Sequence, residues 1–204
     1  CLQETATKDV LAYMKSVASI NRLGQDEKNP EGILSQIYDR VDFVDKETAA
    51  ACYLNPVENK PKKRSHKELI YPFGCNSSQK TAVAQAFEHQ ISVIQGPPGT
   101  GKTQTILNII ANIIRQGKTV IVVSNNNSAT ANVLEKLEKY GIGFIAAPLG
   151  NKDNKTAFIA NQPTIPDECR MWGLEIRASF QIEQRMRNTS QHLDKVYALQ
   201  NERA

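Results

Sequence analysis

Apolar side chains recur at helical spacing through the first seventy residues of the chain. One series predicts a helix that Gly24 ends, and a second predicts a helix that follows Pro30. A short third helix is expected over residues 47–54, where Pro56 then ends it. The two series are Val10, Leu11, Met14, Val17 and Ile20, and then Ile33, Leu34, Ile37, Tyr38, Val41 and Val44.

From Tyr71 onward the pattern changes to short apolar runs that alternate with amphipathic stretches. The runs predict strands at residues 91–95, 119–123 and 143–147, and the second of them is rich in β-branched residues. The stretches between and around them predict helices at residues 79–89, with Ser77 or Ser78 as its cap, 102–116 and 131–140. Alternating strands and helices are typical of a parallel sheet with right-handed crossovers. The expected fold class is therefore α/β, and the three strands make up only half of such a domain.

Beyond Pro166 the apolar positions fall three, four or seven residues apart, with charges between them. This spacing predicts one long amphipathic helix of about 35 residues from Asp167 to Arg203, a length that suggests a coiled-coil arm. Its stripe comprises Met171, Leu174, Ala178, Ile182, Met186, Leu193 and Val196.

The composition of the chain limits the possible classes of protein but does not select one of them. The 204 residues are 40% hydrophobic and 23% charged, with a net charge of +4, which is ordinary for a globular protein and compatible with a polyanionic partner. No apolar run approaches the roughly 20 residues that span a bilayer, so no membrane partner is expected. The four scattered cysteines lack metal-ligand spacing and favour reduced thiols in the cytoplasm.

These changes of pattern predict four segments. They are an N-terminal helical region at residues 1–58, a basic linker at 59–70, a partial α/β domain at 71–165 and a helical arm at 166–204. The core of the linker reads Asn-Lys-Pro-Lys-Lys-Arg-Ser-His-Lys at residues 59–67. A solvated linker explains that composition, and contact with nucleic acid or a targeting signal is the alternative.

Residues 96–103 read Gly-Pro-Pro-Gly-Thr-Gly-Lys-Thr and fit the phosphate-binding loop pattern without a mismatch. An apolar run precedes the loop and a helix follows it, which is the context the motif requires. Lys102 is expected to reach the β- and γ-phosphates, and the Thr103 hydroxyl to bind Mg²⁺, so both are assigned catalytic roles. The loop predicts a nucleoside triphosphate and Mg²⁺ as cofactors, held by Gly96, Pro97, Pro98, Gly99, Thr100, Gly101, Lys102, Thr103 and Gln104.

Upstream of the loop, residues 76–83 read Asn-Ser-Ser-Gln-Lys-Thr-Ala-Val. This stretch and its distance from the loop resemble superfamily 1 DNA and RNA helicases, in particular the 1B branch. The resemblance implies a RecA-like domain in which Gln79 hydrogen-bonds the adenine edge, because a carboxamide supplies both a donor and an acceptor. An ordinary helix-surface glutamine is the alternative reading.

The polar loop of residues 124–128 follows the second apolar run, where this family contacts nucleic acid. Small polar side chains and a helix N-terminus hold backbone phosphates without base preference. The resemblance therefore implies a single-stranded DNA or RNA partner for Ser124, Asn125, Asn126, Asn127 and Ser128. A polar turn that caps a helix through Ser128 explains the same residues structurally.

The resemblance covers about residues 71–162, and residues 149–158 are similar to bacterial members of the branch. Hydrolysis needs an acidic pair after an apolar strand. Asp167–Glu168 has no strand before it, and Asp45 lies upstream of the loop, so neither is assigned that role. The family inserts a stalk before its acidic motif, and residues 166–204 are expected to begin it, with the second RecA-like half outside the chain.

The predicted function is thus the ATP-binding N-terminal part of an ATP-dependent helicase or translocase that is inactive by itself. Two alternatives stay open. One is a scaffold whose arm is controlled by nucleotide binding, and the other is a small-molecule kinase, which uses the same loop.

Overall fold

The computed structural model describes residues 5–22, 24–25, 30, 32–55, 68–150 and 152–201. The core of the predicted basic linker, residues 59–67, lies outside these ranges. Within them the regular elements are α-helices and two short 3₁₀ turns, Gly143–Ile145 and Asp167–Met171. The helices are α1 Thr5–Ile20, α2 Ile33–Asp39, α3 Ala49–Leu54, α4 Ser77–Glu88, α5 Lys102–Arg115, α6 Asn127–Lys139, α7 Lys152–Ala160 and α8 Ile176–Asn201.

The chain divides into two compact units. The first comprises the described part of Cys1–Ser65 together with Gln85–Val93, and the second that of His66–Ala84 together with Ile94–Ala204. The core of the first unit joins α1, α3 and the segment between α2 and α3. Thr48 caps α3, because its hydroxyl accepts a hydrogen bond from the Ala51 amide at 3.3 Å.

The core of the second unit forms where α5 packs against α6. Leu107 and Ile110 of α5 meet Val133 and Leu137 of α6, and Phe73 completes the buried cluster. The Phe73 ring also meets Tyr140 edge to face, with centroids 4.8 Å apart. The helix predicted at residues 102–116 therefore forms and buries Leu107 and Ile110.

The prediction of an α/β fold with a parallel sheet is wrong for the described residues, which form no β-ladder. The runs at 91–95 and 119–123 lack regular structure, and the predicted third strand begins as the 3₁₀ turn Gly143–Ile145. Ile121 and Val123 are 85% and 84% exposed. A buried parallel strand needs ladder partners beside it and cover on both faces. The described residues supply neither to these runs, although their composition favours strands.

The prediction of one continuous arm from Asp167 to Arg203 is also wrong. Residues 172–175 separate the 3₁₀ turn from α8, and Gly173 lies in this break. Glycine costs about 1 kcal/mol relative to alanine in a helix interior, so it favours an interruption here. No helix among the described residues has the length and apolar character needed to cross a bilayer.

Candidate nucleotide site

The phosphate loop lies directly before α5, and a side chain at any of its three glycines would be unfavourable. Gly99 and Gly101 adopt φ values of +86° and +78°, a region that other residues rarely enter. A Cβ atom at Gly96 would lie 2.7 Å from the Thr100 hydroxyl oxygen. The loop conformation therefore depends on glycine at each of these positions.

The outer part of the loop is an exposed turn. The Thr100 hydroxyl donates to the Pro97 carbonyl at 2.9 Å and closes the turn. Pro97, Pro98, Gly99 and Thr100 are all exposed, and a Cβ at Gly99 would meet nothing within 4 Å. The backbone at the tip of the loop is thus open to a ligand.

Lys102 places its ammonium group within the loop. The Nζ atom donates to the Gly96 carbonyl at 2.5 Å and to the Pro97 carbonyl at 2.8 Å. Thr103 follows it in the first turn of α5 and is half-buried. A mobile cation, a hydroxyl and a helix N-terminus are the donors that a Mg²⁺-bound triphosphate requires, so these residues fit the predicted cofactors.

Gln79 takes part in a reciprocal cap at the start of α4. The Asn76 side-chain oxygen accepts from the Gln79 amide, and the Gln79 side-chain oxygen accepts from the Asn76 amide, both at 2.9 Å. This arrangement is a capping box with asparagine at the N-cap. The predicted cap at Ser77 or Ser78 is therefore wrong, and the Asn-x-x-Gln spacing was the signal that pointed to the true one.

The other end of the Gln79 carboxamide reaches the phosphate loop. Its nitrogen donates to the Thr100 carbonyl at 3.1 Å, and it lies 3.4 Å from the Gly101 carbonyl and from the Gln104 side-chain oxygen. A Cβ at Gly101 would collide with this nitrogen. The structure thus brings the predicted adenine-reading residue and the predicted phosphate-binding residues into one hydrogen-bonded group.

The sequence assigned Gln104 to the nucleotide but did not reveal the set of polar residues on α5 to which it belongs. Gln104, Asn108 and Asn112 are spaced by four and share one face of the helix. Asn108 and Asn112 are 0% and 1% exposed. The signal was present, since two asparagines four residues apart interrupt an otherwise apolar helix. We call these three residues the carboxamide ladder.

The carboxamide ladder binds the backbone of the segment that leads into α4. Asn112 accepts from the Ile70 amide at 2.9 Å and donates to the Ile70 carbonyl at 2.7 Å. Asn108 accepts from the Phe73 amide at 3.2 Å and donates to the Gly74 carbonyl at 2.7 Å. Gln104 donates to the Phe73 carbonyl. This segment, which turns at Pro72 and Phe73, therefore has side chains of α5 among its hydrogen-bond partners.

Helix α8 meets the same region through polar side-chain tips. The Lys80 ammonium lies 2.5 Å from Asp194 of α8 and donates to Ser190 at 3.1 Å. The Arg115 guanidinium lies 2.9 Å from Glu183. The Tyr197 hydroxyl donates to the Cys75 carbonyl at 3.2 Å. The arm thus contacts both sides of the turn that holds Gln79.

Cys75 lies beside this contact. Burial raises the pKa of its thiol, and the positive charge of Lys80 and a hydrogen bond involving Tyr197 act in the opposite direction. Cys52, Cys75 and Cys169 are free of disulfides.

The predicted nucleic-acid loop at residues 124–128 is exposed throughout. Asn126 caps α6, because its side-chain oxygen accepts from the Ser128 amide at 3.0 Å and from the Ser128 hydroxyl at 2.7 Å. The Ser124 hydroxyl oxygen accepts from the Asn126 amide at 3.1 Å. The alternative interpretation of this loop, a polar turn that caps a helix, named Ser128 as the cap, and the structure has Asn126 instead, two residues earlier.

Comparison with known proteins identifies the family of this chain. Residues 74–203 match a family described as an AAA domain. This chain belongs to that family. A search of the solved structures found no match.

Several named proteins share part of the chain. DNA polymerase alpha-associated DNA helicase A of Schizosaccharomyces pombe is 38% identical over 71 residues, which are 34% of this chain and 11% of the relative. DNA-binding protein SMUBP-2 of Mesocricetus auratus is 38% identical over 69 residues, which are 33% of the chain and 7% of the relative. Regulator of nonsense transcripts 1 of Caenorhabditis elegans is 41% identical over 71 residues, which are 34% of the chain and 6% of the relative.

These matches confirm the resemblance to superfamily 1 DNA and RNA helicases. The three named relatives come from eukaryotes, so they do not support the predicted bacterial subgroup. The matched part of the chain spans about a tenth or less of the length of these curated relatives.

Proposed function

We propose that this chain is the ATP-binding N-terminal part of an ATP-dependent superfamily 1 helicase or translocase. The observation that carries the proposal is the contact between Gln79 and the loop, where the carboxamide nitrogen lies 3.1 Å from the Thr100 carbonyl. A nucleotide carries its base at one end and its phosphates at the other. One bound nucleotide would therefore contact both the base-reading group and the adjoining phosphate-binding loop. The family match and the named helicase among the relatives support the same conclusion.

Lys102 is the group that exchanges partners in this proposal. In the structure its ammonium bonds the Gly96 and Pro97 carbonyls, and with nucleotide present it turns to the β- and γ-phosphates. Thr103 offers its hydroxyl to Mg²⁺, and the exposed tip of the loop offers backbone amides. In the whole protein, hydrolysis of ATP held by these residues would supply the free energy that a translocase uses to move along a strand.

Gln79 selects the base in the same proposal. The oxygen and the nitrogen of its carboxamide already form hydrogen bonds within the chain. Gln79 therefore binds the adenine edge either in addition to these hydrogen bonds or in place of them. The exposed residues 124–128 contact the phosphates of a single DNA or RNA strand. We further propose that the chain alone binds ATP without turnover, because Asp167–Glu168 belongs to a 3₁₀ turn and follows no strand.

A second candidate function is a scaffold in which nucleotide binding controls the arm. The contacts of α8 with Lys80 and Cys75 favour it, because these residues flank the capping turn that carries Gln79. The affinity for a single-stranded oligonucleotide separates the two functions. A translocase changes this affinity when Mg²⁺-ATP binds, whereas a scaffold shows no binding of the strand in either state.

The proposal is tested by titrating the protein with ATP and with GTP in the presence of Mg²⁺. We expect ATP to bind more tightly, and Gln79→Ala to weaken ATP binding about tenfold and to reduce the preference for adenine. Gln85→Ala is the matched control, since Gln85 is exposed on the same helix. Equal affinity of the unmutated protein for ATP and GTP would contradict the role given to Gln79.

A further inference from the structure

We propose that Asn108 is a positioning residue for base selection. It touches neither the loop nor the proposed base-reading residue directly. It acts through the backbone of Phe73 and Gly74, which leads into the turn that carries Gln79. This inference rests on the proposed function and adds to it a residue that determines specificity from within the core.

The hydrogen bonds of Asn108 require a carboxamide. Its oxygen accepts from the Phe73 amide at 3.2 Å while its nitrogen donates to the Gly74 carbonyl at 2.7 Å. A carboxamide supplies an acceptor and a donor on one planar group, which is what two adjacent peptide units offer in reverse. Asn108 therefore bonds two backbone groups of the turn between Tyr71 and Gly74 at once.

Burial makes this contact decisive for the position of the segment. Asn108 is 0% exposed, so water does not replace its bonds at either backbone group. A buried amide or carbonyl that loses its partner is costly, and the segment would move to recover one. Asn112, one helical turn further along α5, forms two hydrogen bonds with the backbone of Ile70. Asn108 is therefore the fully buried residue of the carboxamide ladder that lies nearer to the phosphate loop.

Gln104 continues the carboxamide ladder to Gln79. Its nitrogen donates to the Phe73 carbonyl, and its oxygen lies 3.4 Å from the Gln79 nitrogen. Gly74 fits closely against it, since a Cβ there would lie 3.2 Å from the Gln104 nitrogen. A displacement of Phe73 and Gly74 is thus passed to Gln79 through Gln104 and through the Asn76 cap.

The experiment uses Asn108→Leu, which keeps the approximate side-chain volume and removes both hydrogen bonds. Three quantities are measured: the ratio of GTP to ATP dissociation constants, the dissociation constant of inorganic tripolyphosphate, and hydrogen exchange at the Phe73 amide. Val133→Ala is the control, because it truncates the same core from α6 and touches no bond of the carboxamide ladder.

We expect Asn108→Leu to lower the preference for ATP about tenfold and to accelerate exchange at the Phe73 amide. Binding of tripolyphosphate, which contacts the loop alone, should stay within about twofold of the parent. Val133→Ala should keep the full preference for ATP despite its lower stability. This pattern separates positioning of the base reader from a general loss of structure.

A second variant covers the case in which Asn108→Leu does not fold. Gly74→Ala disturbs the same contact from the other side, because Gly74 has φ +75° and a Cβ there would lie 3.2 Å from the Gln104 side-chain nitrogen. It should also lower the preference for ATP. Faster exchange at the Phe73 amide with an unchanged preference in the folded variants would overturn the inference. A parent without any preference for ATP would overturn the proposed function, and this inference would fall with it.

Discussion

Helices α5 and α8 belong to the same compact unit and are held in it by different forces. Helix α5 has 14 residues, five of them buried, and combines apolar packing with the carboxamide ladder. Helix α8 has 26 residues, and none of its described side chains is buried. The shorter helix is fixed by burial, whereas the longer one is attached through polar tips at three places. Helix length read from a sequence thus says little about how firmly a helix is packed.

The stability of a helix in a protein comes mainly from the apolar face that it buries. Leu107 of α5 is 3% exposed, whereas Leu193 of α8 is 42% exposed. Both leucines lie in apolar stripes that look alike in the sequence. The comparison therefore predicts a large loss of stability at Leu107 and a small one at Leu193 for the same substitution.

The largest expected difference is in the free energy of unfolding of Leu107→Ala and Leu193→Ala. Removal of a buried leucine costs about 2–5 kcal/mol, because the cavity adds to the lost transfer energy. The change at Leu193 should cost less than about 1 kcal/mol, since its side chain keeps much of its contact with water. Denaturant unfolding at equilibrium measures both. Similar losses at the two sites would show that α8 is packed as firmly as α5.

A smaller effect is expected where α8 is attached to α4. Asp194→Asn removes the ion pair with Lys80, in which the aspartate side chain is 61% exposed. Such pairs contribute about 0–1 kcal/mol, and salt screens them. The coupling is measured by a double-mutant cycle with Lys80→Met at low and high salt. A coupling well above this range and insensitive to salt would mean that the contact is less solvated than the structure indicates.

The sequence predicted the local elements of the site well, because their signals are local. The phosphate-loop pattern, the apolar face of α5 and the position of α4 each depend on residues within a few turns of one another. The first and last residues of the helices differ from the predictions by a few positions, and the caps at Asn76 and Asn126 replace the predicted serines. Sequence alone placed these caps one or two residues too late.

The wrong or missing predictions concern interactions between residues that are distant in the chain. The runs at 91–95 and 119–123 have strand composition, but a strand also needs neighbours, and a single sequence does not show whether they are present. The carboxamide ladder was missed for a related reason. Asn108 bonds a backbone 34 and 35 residues away, and nothing in the local pattern identifies that partner.

The arm shows the limit of periodicity in another way. Its apolar positions continue through residues 172–175, yet the helix is interrupted there and α8 begins at Ile176. Gly173 was the local sequence signal for this interruption. Trp172 adds a tertiary reason for it, since the centroid of its ring lies 6.4 Å from the centroid of the Phe144 ring. A side chain with a partner elsewhere thus competes with continuation of the helix.

The central claim is that the N-terminal end of α5 and its loop form a triphosphate site built around Lys102. It is tested most directly by titrating the unmutated protein, Lys102→Ala and the exposed control Lys139→Ala with Mg²⁺-ATP, while circular dichroism monitors the fold. We expect Lys102→Ala to weaken binding about a hundredfold or more with an unchanged spectrum, and the control to bind as the parent does. Equal binding by all three proteins would contradict the claim, and collapse of the fold in Lys102→Ala alone would give this lysine a structural role instead.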